Sequence, residues 1–355
     1  RLVLLMEETM INSVTGNLLK AKADALVNTV NCVGVMGKGI ALQFKQAFPE
    51  NYKEYEKECK NGRMRVGKMF IHRTGTLFQP KYIINFPTKR HWKGKSRLDD
   101  IKLGLNDLIK VIRELDIKSI AIPPLGAGLG GLNWVEVKSL IETSFNKIPG
   151  VDVLLYEPKG APEPDTIPIA TTKPEMTRGR ALLIRLLDIY RSQGYRHNLL
   201  EIQKLMYFLQ EAGEKLKLKF TKNNYGPYAE NLHHVLQKID GHYIRGYGDR
   251  SGKSEVYLLE GALQEAKTLL ENDADAQERL NAVARLIRGF ETPYGMELLS
   301  TVHWVSKETP EAAKDPETVL KKVQEWNPRK KFMMKPQHVD KALNRLKQEN
   351  WLKAA

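Results

Sequence analysis

Two hydrophobic rhythms divide the chain. Up to about residue 157, short apolar runs alternate with segments of helical period. Ala25–Thr29 is followed by Gly39–Phe48, Lys81–Phe86 by Leu98–Leu115, and Ser119–Pro123 by Trp134–Lys147, with a last run at Val151–Tyr156. Strands alternating with helices in this way predict an α/β sandwich around a mostly parallel sheet. Beyond residue 177 the period becomes 3.6. Ala181, Leu182, Ile184, Leu186, Leu187 and Tyr190 form one helical stripe, and Ile202, Leu205, Met206 and Leu209 another. Further helices are predicted at Tyr228–Lys238, Ala262–Leu270, Ala276–Arg288 and His338–Leu352, with one strand at Val256–Leu259. Between the two rhythms, Pro158, Gly160, Pro162, Pro164, Pro168 and Pro174 forbid a helix or central strand. The expected organisation is an α/β domain over 10–157, a proline-rich linker over 158–176 and a mainly α-helical domain over 177–355.

Composition narrows the class. A length of 355 residues suits two domains, and 42% hydrophobic with 28% charged residues excludes a disordered or low-complexity chain. The apolar stretch Ala181–Leu187 is interrupted by Arg185 and is far shorter than a membrane span, so no membrane partner is expected. Cys32 and Cys59 are too few for a disulfide framework and complete no zinc motif, which points to a reducing cytoplasm and to no metal. Arg1–Thr9 has no signal-peptide pattern. The net charge is +14, and residues 1–159 hold 25 basic against 16 acidic side chains. Such an excess favours polyanionic partners through counterion release, with the first domain as the expected nucleic-acid face.

Two glycine clusters carry the candidate chemistry. Gly34, Gly37 and Gly39 surround Lys38 where a strand ends and a helix begins, a place where backbone N–H groups and a helix N-terminus can approach an anion. The spacing is not that of a P-loop, because Cys32 occupies the first glycine position and Gly39 follows Lys38. Gly126, Gly128 and Gly131 formally satisfy GxGxxG, yet only one helix and one strand remain before the linker, too little for a dinucleotide-binding unit. Two loops converging on one diphosphate fit better. Asn28 and Asn31 end the strand before the first cluster. Asn28 is expected to hold that loop and Asn31 to meet a ribose hydroxyl.

The stretches Ser13-Val-Thr-Gly-Asn17, Ala25-Leu-Val-Asn-Thr-Val-Asn31, Gly34-Val-Met-Gly-Lys-Gly-Ile-Ala41 and Pro123-Pro-Leu-Gly-Ala-Gly-Leu-Gly-Gly-Leu-Asn-Trp134 together resemble a macrodomain. With Tyr82-Ile-Ile-Asn-Phe-Pro-Thr-Lys89-Arg-His-Trp-Lys93, the likeness is to the macrodomains of DarG-type antitoxins, which remove ADP-ribose from thymidine bases modified by DarT toxins. The resemblance implies a three-layer α/β/α fold without a cofactor, and it places the catalytic residue on Lys89. ADP-ribose contacts fall on Asn17, Asn31, Gly37, Lys38, Gly39, Ile40, Gly126, Ala127, Gly128, Leu129 and Gly130. Asn17 stands where macrodomains usually carry the Asp that holds the adenine amino group. Gly130 stands where lysine-dependent glycohydrolases outside the DarG group carry an acid. The helical remainder, with Tyr225-Gly-Pro-Tyr-Ala-Glu-Asn-Leu-His-His234, resembles a Panacea-type antitoxin module, implying that residues 177–355 bind the DarT-like toxin.

The implied reaction cleaves the glycosidic bond between the distal ribose C1″ and a thymine nitrogen in single-stranded DNA. A neutral Lys89 amine can attack that carbon, and the charges of Arg90, Lys93 and Lys95 are expected to depress its pKa. A charged Lys89 stabilising the departing base is the other possible role. Arg90, Trp92, Lys93 and Lys95 are the expected DNA contacts, the tryptophan by stacking on an unpaired base. His233 and His234 are adjacent and point to different sides of a helix, so neither is expected to ligate a metal. Two other functions compete: a macrodomain that only reads ADP-ribose, and a nicotinamide-dependent oxidoreductase resting on Gly126, Gly128 and Gly131.

Overall fold

The computed structural model describes residues 10–158, 162–190, 196–250, 254–309 and 315–352. Arg1–Thr9 and Gly160 of the linker lie outside the described residues. Contacts divide the chain into two compact units. One is built on residues up to Thr172 with Gly248–Arg250 added, the other on Lys173–Tyr247 and the residues from Ser254 on. The change of unit falls near the C-terminal end of the expected linker.

The first unit runs β1 (Ile11–Val14), β2 (Ala25–Asn31), α1 (Gly39–Ala47), α2 (Pro49–Lys60), β3 (Phe70–Arg73), β4 (Tyr82–Lys89), α3 (Leu98–Glu114), β5 (Ser119–Ile122), α4 (Trp134–Phe145) and β6 (Asp152–Tyr156). Its sheet has the order β1-β6-β5-β2-β4-β3, parallel except where β3 pairs antiparallel with β4. β2 and β4 are buried almost throughout, as strands covered by helices on both faces must be. Ala25, Val27, Ile84 and Phe86 pack with Ile101, Leu105 and Leu108 of α3 and Val137 and Ile141 of α4. On the other face, Leu26, Ile83 and Ala121 pack with Phe44 of α1. Gly104 lies in the middle of α3 because the Phe86 ring occupies the space a Cβ would need. This is the expected three-layer sandwich. α2, β1 and β3 were not among the predicted elements.

The second unit runs α5 (Arg178–Ile189), β7 (His197–Asn198), α6 (Leu199–Glu211), β8 (Phe220–Asn223), β9 (Gly226–Ala229), α7 (Leu232–Ile239), β10 (Ile244–Arg245), β11 (Glu255–Leu258), α8 (Ala262–Leu270), α9 (Ala274–Ile287), α10 (Pro293–Glu308), α11 (Pro316–Glu325), α12 (Pro328–Met333) and α13 (Pro336–Gln348). It is mainly helical. The first turn of α6 is fixed by a capping box, in which Asn198 Oδ1 accepts from Glu201 N–H and Glu201 accepts from Asn198 N–H, both at 2.9 Å. The helix predicted from Tyr228 begins instead at Leu232. Gly226, at φ 91°, and Pro227 turn the preceding residues into a β8–β9 hairpin.

Candidate active site

The sheet order sets β2 between β4 and β5, all three parallel, so the segments leaving their C-terminal ends emerge side by side. The crevice outside the carboxyl ends of such strands is where open α/β sheets bind ligands. Residues 32–38 follow β2, residues 90–97 follow β4, and residues 123–133 follow β5.

The first loop is held by Asn31. Its Oδ1 accepts from Val33 N–H at 3.0 Å and Val35 N–H at 3.3 Å, its Nδ2 donates to the Val35 carbonyl at 2.6 Å, and the Tyr55 hydroxyl donates to its backbone carbonyl at 2.7 Å. The amide expected to meet a ribose is buried and turned into the loop. Asn28 is wholly buried; its Nδ2 donates to Asn85 Oδ1 across the sheet at 2.9 Å and to Met36 Sδ of the loop at 3.9 Å. Lys38 is exposed and extended, and Gly37 and Ile40 are half-buried. Gly39 opens α1 at φ 62°, a left-handed conformation that favours glycine. Its N–H, expected to face a phosphate, donates to the carbonyl of Asp249 at 2.7 Å, and Asp249 belongs to this unit. Asn17 is also engaged, since its Oδ1 accepts from Leu19 N–H and its Nδ2 donates to the Thr166 carbonyl, both at 3.0 Å.

The second loop is packed against the segment after β4. Ser96 N–H donates to the Gly130 carbonyl at 3.1 Å, and Leu132 N–H donates to the Gly126 carbonyl at 3.1 Å. A Cβ on Gly130 would fall far inside contact of the Gly126 carbonyl oxygen and Ser96 Oγ. At Gly126, where φ is 67°, it would meet Leu132 Cδ1 at 2.9 Å and Ser96 Oγ at 3.0 Å. Gly128 is open, with nothing among the described residues within 4 Å of such an atom. Packing therefore forbids an acidic residue at position 130 and leaves Lys89 without a carboxylate from that position. Ser96, buried and with no hydrogen bond from its hydroxyl among the described residues, carries no signal in the sequence that marks it as part of this loop contact.

Lys89 reaches the point where the loops meet. A Cβ on Gly39 would touch Leu129 Cδ1 at 3.5 Å, so the two glycine loops face each other. Lys89 Nζ donates to the Leu129 carbonyl at 2.6 Å. The residue ends β4 just past a register irregularity, for β2–β4 pairing sets Val30 against Pro87 but Asn31 against Lys89, with Thr88 as an extra residue.

The Lys89 amine is held below its ordinary pKa of 10.5, first by partial burial and then by the charge of Lys95. Arg90 and Lys93 do not share in this as expected. Arg90 pairs with the buried Asp100 at 2.9 Å, and Lys93 Nζ lies 5.0 Å from the centre of the Trp92 ring. Lys95 Nζ lies 3.1 Å from the Cβ position of Gly131, on the same loop that Lys89 touches. Trp92 is 48% exposed and stacks on His91. Arg90, Trp92, Lys93 and Lys95 thus share one exposed connection beside the crevice. Among the described residues no group of three His, Cys, Asp or Glu side chains could hold a metal ion, and no helix is long and apolar enough to cross a membrane. His233 lies between the hydroxyls of Tyr228 and Tyr247.

Residues 27–141 match the Macro domain model. A DNA ADP-ribosyl glycohydrolase of Thermus aquaticus is 50% identical over 337 residues, which cover 95% of this chain and 93% of the relative. The chain belongs to the DNA ADP-ribosyl glycohydrolase family. The macrodomain of Mycobacterium tuberculosis DarG, a solved structure, is 56% identical, with a TM-score of 0.42 over 42% of this chain and 99% of that one. A DNA ADP-ribosyl transferase-DNA ADP-ribosyl glycohydrolase fusion protein of Thermosipho africanus is 32% identical over 170 residues, 44% of each chain. Membership of the DNA ADP-ribosyl glycohydrolases makes the chain a hydrolase and overturns the nicotinamide reading of Gly126, Gly128 and Gly131 as well as the binding-only reading.

Proposed function

We propose that this glycohydrolase removes ADP-ribose from thymidine bases of single-stranded DNA, with Lys89 as the nucleophile, and that residues 177–355 neutralise the cognate DarT-like transferase by direct binding. The observation that carries the first part is the Lys89 amine at the Leu129 carbonyl, where the two glycine loops face each other. The Thermosipho relative, named as a transferase joined to a glycohydrolase, supports pairing with a toxin.

In this reading the diphosphate lies between the loops and presents C1″ to Lys89. The neutral amine attacks C1″, the bond to the thymine nitrogen breaks, and its electron pair leaves with the base, which then takes up a proton. Opening of the ribose gives a lysyl Schiff base; water adds to it, releasing ADP-ribose and the free amine. Partial burial and Lys95 favour the neutral amine that the first step needs. The rate should therefore rise with pH through a midpoint below the ordinary lysine value. Lys95→Met removes a like charge, so the midpoint should move up and the rate at neutral pH fall, whereas Lys95→Arg should keep both. A pH profile of kcat/KM for the three proteins checks this.

Incubation with thymidine-ADP-ribosylated single-stranded DNA tests the whole reading. The modification should disappear, and borohydride should trap ADP-ribose on Lys89. Persistent modification would overturn the enzymatic part. Failure of the full chain to capture the toxin in a pull-down would overturn the partner.

A further inference from the structure

The second unit carries an exposed surface unrelated to Lys89. The β8–β9 turn is fastened to the start of α12, since Trp326 Nε1 donates to the Asn223 carbonyl at 2.9 Å and Asn327 Nδ2 to the Asn224 carbonyl at 3.1 Å. Tyr225, 50% exposed at that turn, lies beside Arg329, whose guanidinium is 4.7 Å from the ring centre. Arg329 and Phe332 are three residues apart in α12 and so share one of its faces. Phe332 is 76% exposed, and Lys335 Nζ lies 5.1 Å from its ring centre. The surface therefore reads aromatic, cation, aromatic, cation.

The charge beneath this strip does not cancel it. Glu297, almost wholly buried, accepts from Arg329 at 2.5 Å and Lys330 at 2.6 Å, so one carboxylate faces two cations. Among the described residues Lys331 and Lys335 have no ion-pair partner, and Lys222 on the neighbouring hairpin pairs with Glu308 at 2.8 Å. The strip stays positive.

We propose that this strip binds single-stranded nucleic acid, with bases stacked on Tyr225 and Phe332 and phosphates held by Arg329, Lys331 and Lys335. Exposed rings alone would suit an apolar protein partner, but each ring here has a cation against it. A partner that offers flat π-faces and a negative backbone together satisfies both. A duplex hides its base faces, so the rings select a single strand. The surface would hold unmodified DNA and does not depend on the glycohydrolase reading.

The test uses the full chain and an unmodified fluorescein-labelled oligothymidine, followed by fluorescence anisotropy over a range of salt concentrations. The Tyr225→Ala, Phe332→Ala double variant should lose roughly tenfold or more in affinity with its salt slope kept. Lys331→Gln with Lys335→Gln should flatten the slope by about 0.7 per lysine. Tyr225→Phe, which keeps the ring, should bind like the parent, and thermal melts establish that each variant folds. Affinity within about twofold of the parent in both double variants would overturn the proposal. So would loss of toxin capture in place of DNA binding, which would assign the strip to a protein. Lys89→Ala should leave this binding intact, so its result and that of the glycohydrolase assay stand apart.

Discussion

Lys89→Ala should abolish release of ADP-ribose from modified DNA, with turnover falling by about three orders of magnitude or more, as when other covalent nucleophiles are removed. Binding of free ADP-ribose should stay within a few-fold of the parent, because the Lys89 amine contacts the Leu129 carbonyl and the proposed diphosphate contacts come from the loop backbones. Lys89→Arg sharpens the result. A guanidinium keeps its charge at any working pH and cannot act as the neutral nucleophile. An inactive arginine variant therefore supports covalent attack, and an active one supports electrostatic stabilisation of the leaving base. Single-turnover kinetics with calorimetry separates chemistry from binding, and retained turnover in Lys89→Ala would remove the residue from the mechanism.

Gly130→Asp should be nearly as damaging, for a different reason. The new Cβ would overlap the Gly126 carbonyl oxygen, a backbone atom that moves only if the loop moves, and also Ser96 Oγ. Overpacking of this kind costs about 1–3 kcal/mol. The displaced loop would carry the Leu129 carbonyl away from Lys89, and a carboxylate here would repel a diphosphate. ADP-ribose affinity should drop by roughly a hundredfold, which matches about 2.7 kcal/mol. Ser96→Ala should not rescue it, since the Gly126 carbonyl stays in place. Gly128→Ala is the control, for nothing among the described residues lies within 4 Å of its added methyl. Its melting temperature should match the parent. Equal affinity in Gly130→Asp and the parent would show that the close packing of Gly126, Gly130 and Ser96 is not needed for the site.

Much of the α/β half was legible because its strands are buried on both faces and so carry short apolar runs; Ala25–Val27 of β2 and Tyr82–Ile84 of β4 are clear cases. α2 was not, because of its twelve residues only Asn51 and Tyr55 are buried and the rest read as a polar segment. In the helical half, the start of α7 was misplaced by the hairpin whose second strand Gly226 begins. The candidate site divides in the same way. Lys89 and the two glycine loops could be named from local motifs, whereas the partners that set their roles are distant in sequence. Ser96 closes on Gly130, Asp249 takes the Gly39 N–H, and Asp100 engages Arg90. Asn31 had two open roles in the sequence, and only the path of the loop shows that its amide turns inward.

The extra residue at Thr88 makes the position of Lys89 a matter of counting. Successive side chains in a strand point to opposite faces, so a one-residue change in register exchanges the faces of every residue beyond it. A deletion anywhere from Phe86 to Thr88 would take up that extra residue and leave the lysine opposite Asn31, whereas an insertion that the irregularity does not absorb would aim the amine away from Leu129. Whether a lysine in this stretch of a homologue is the same amine is therefore decided by the residue it stands opposite on β2, not by the length of the stretch before it.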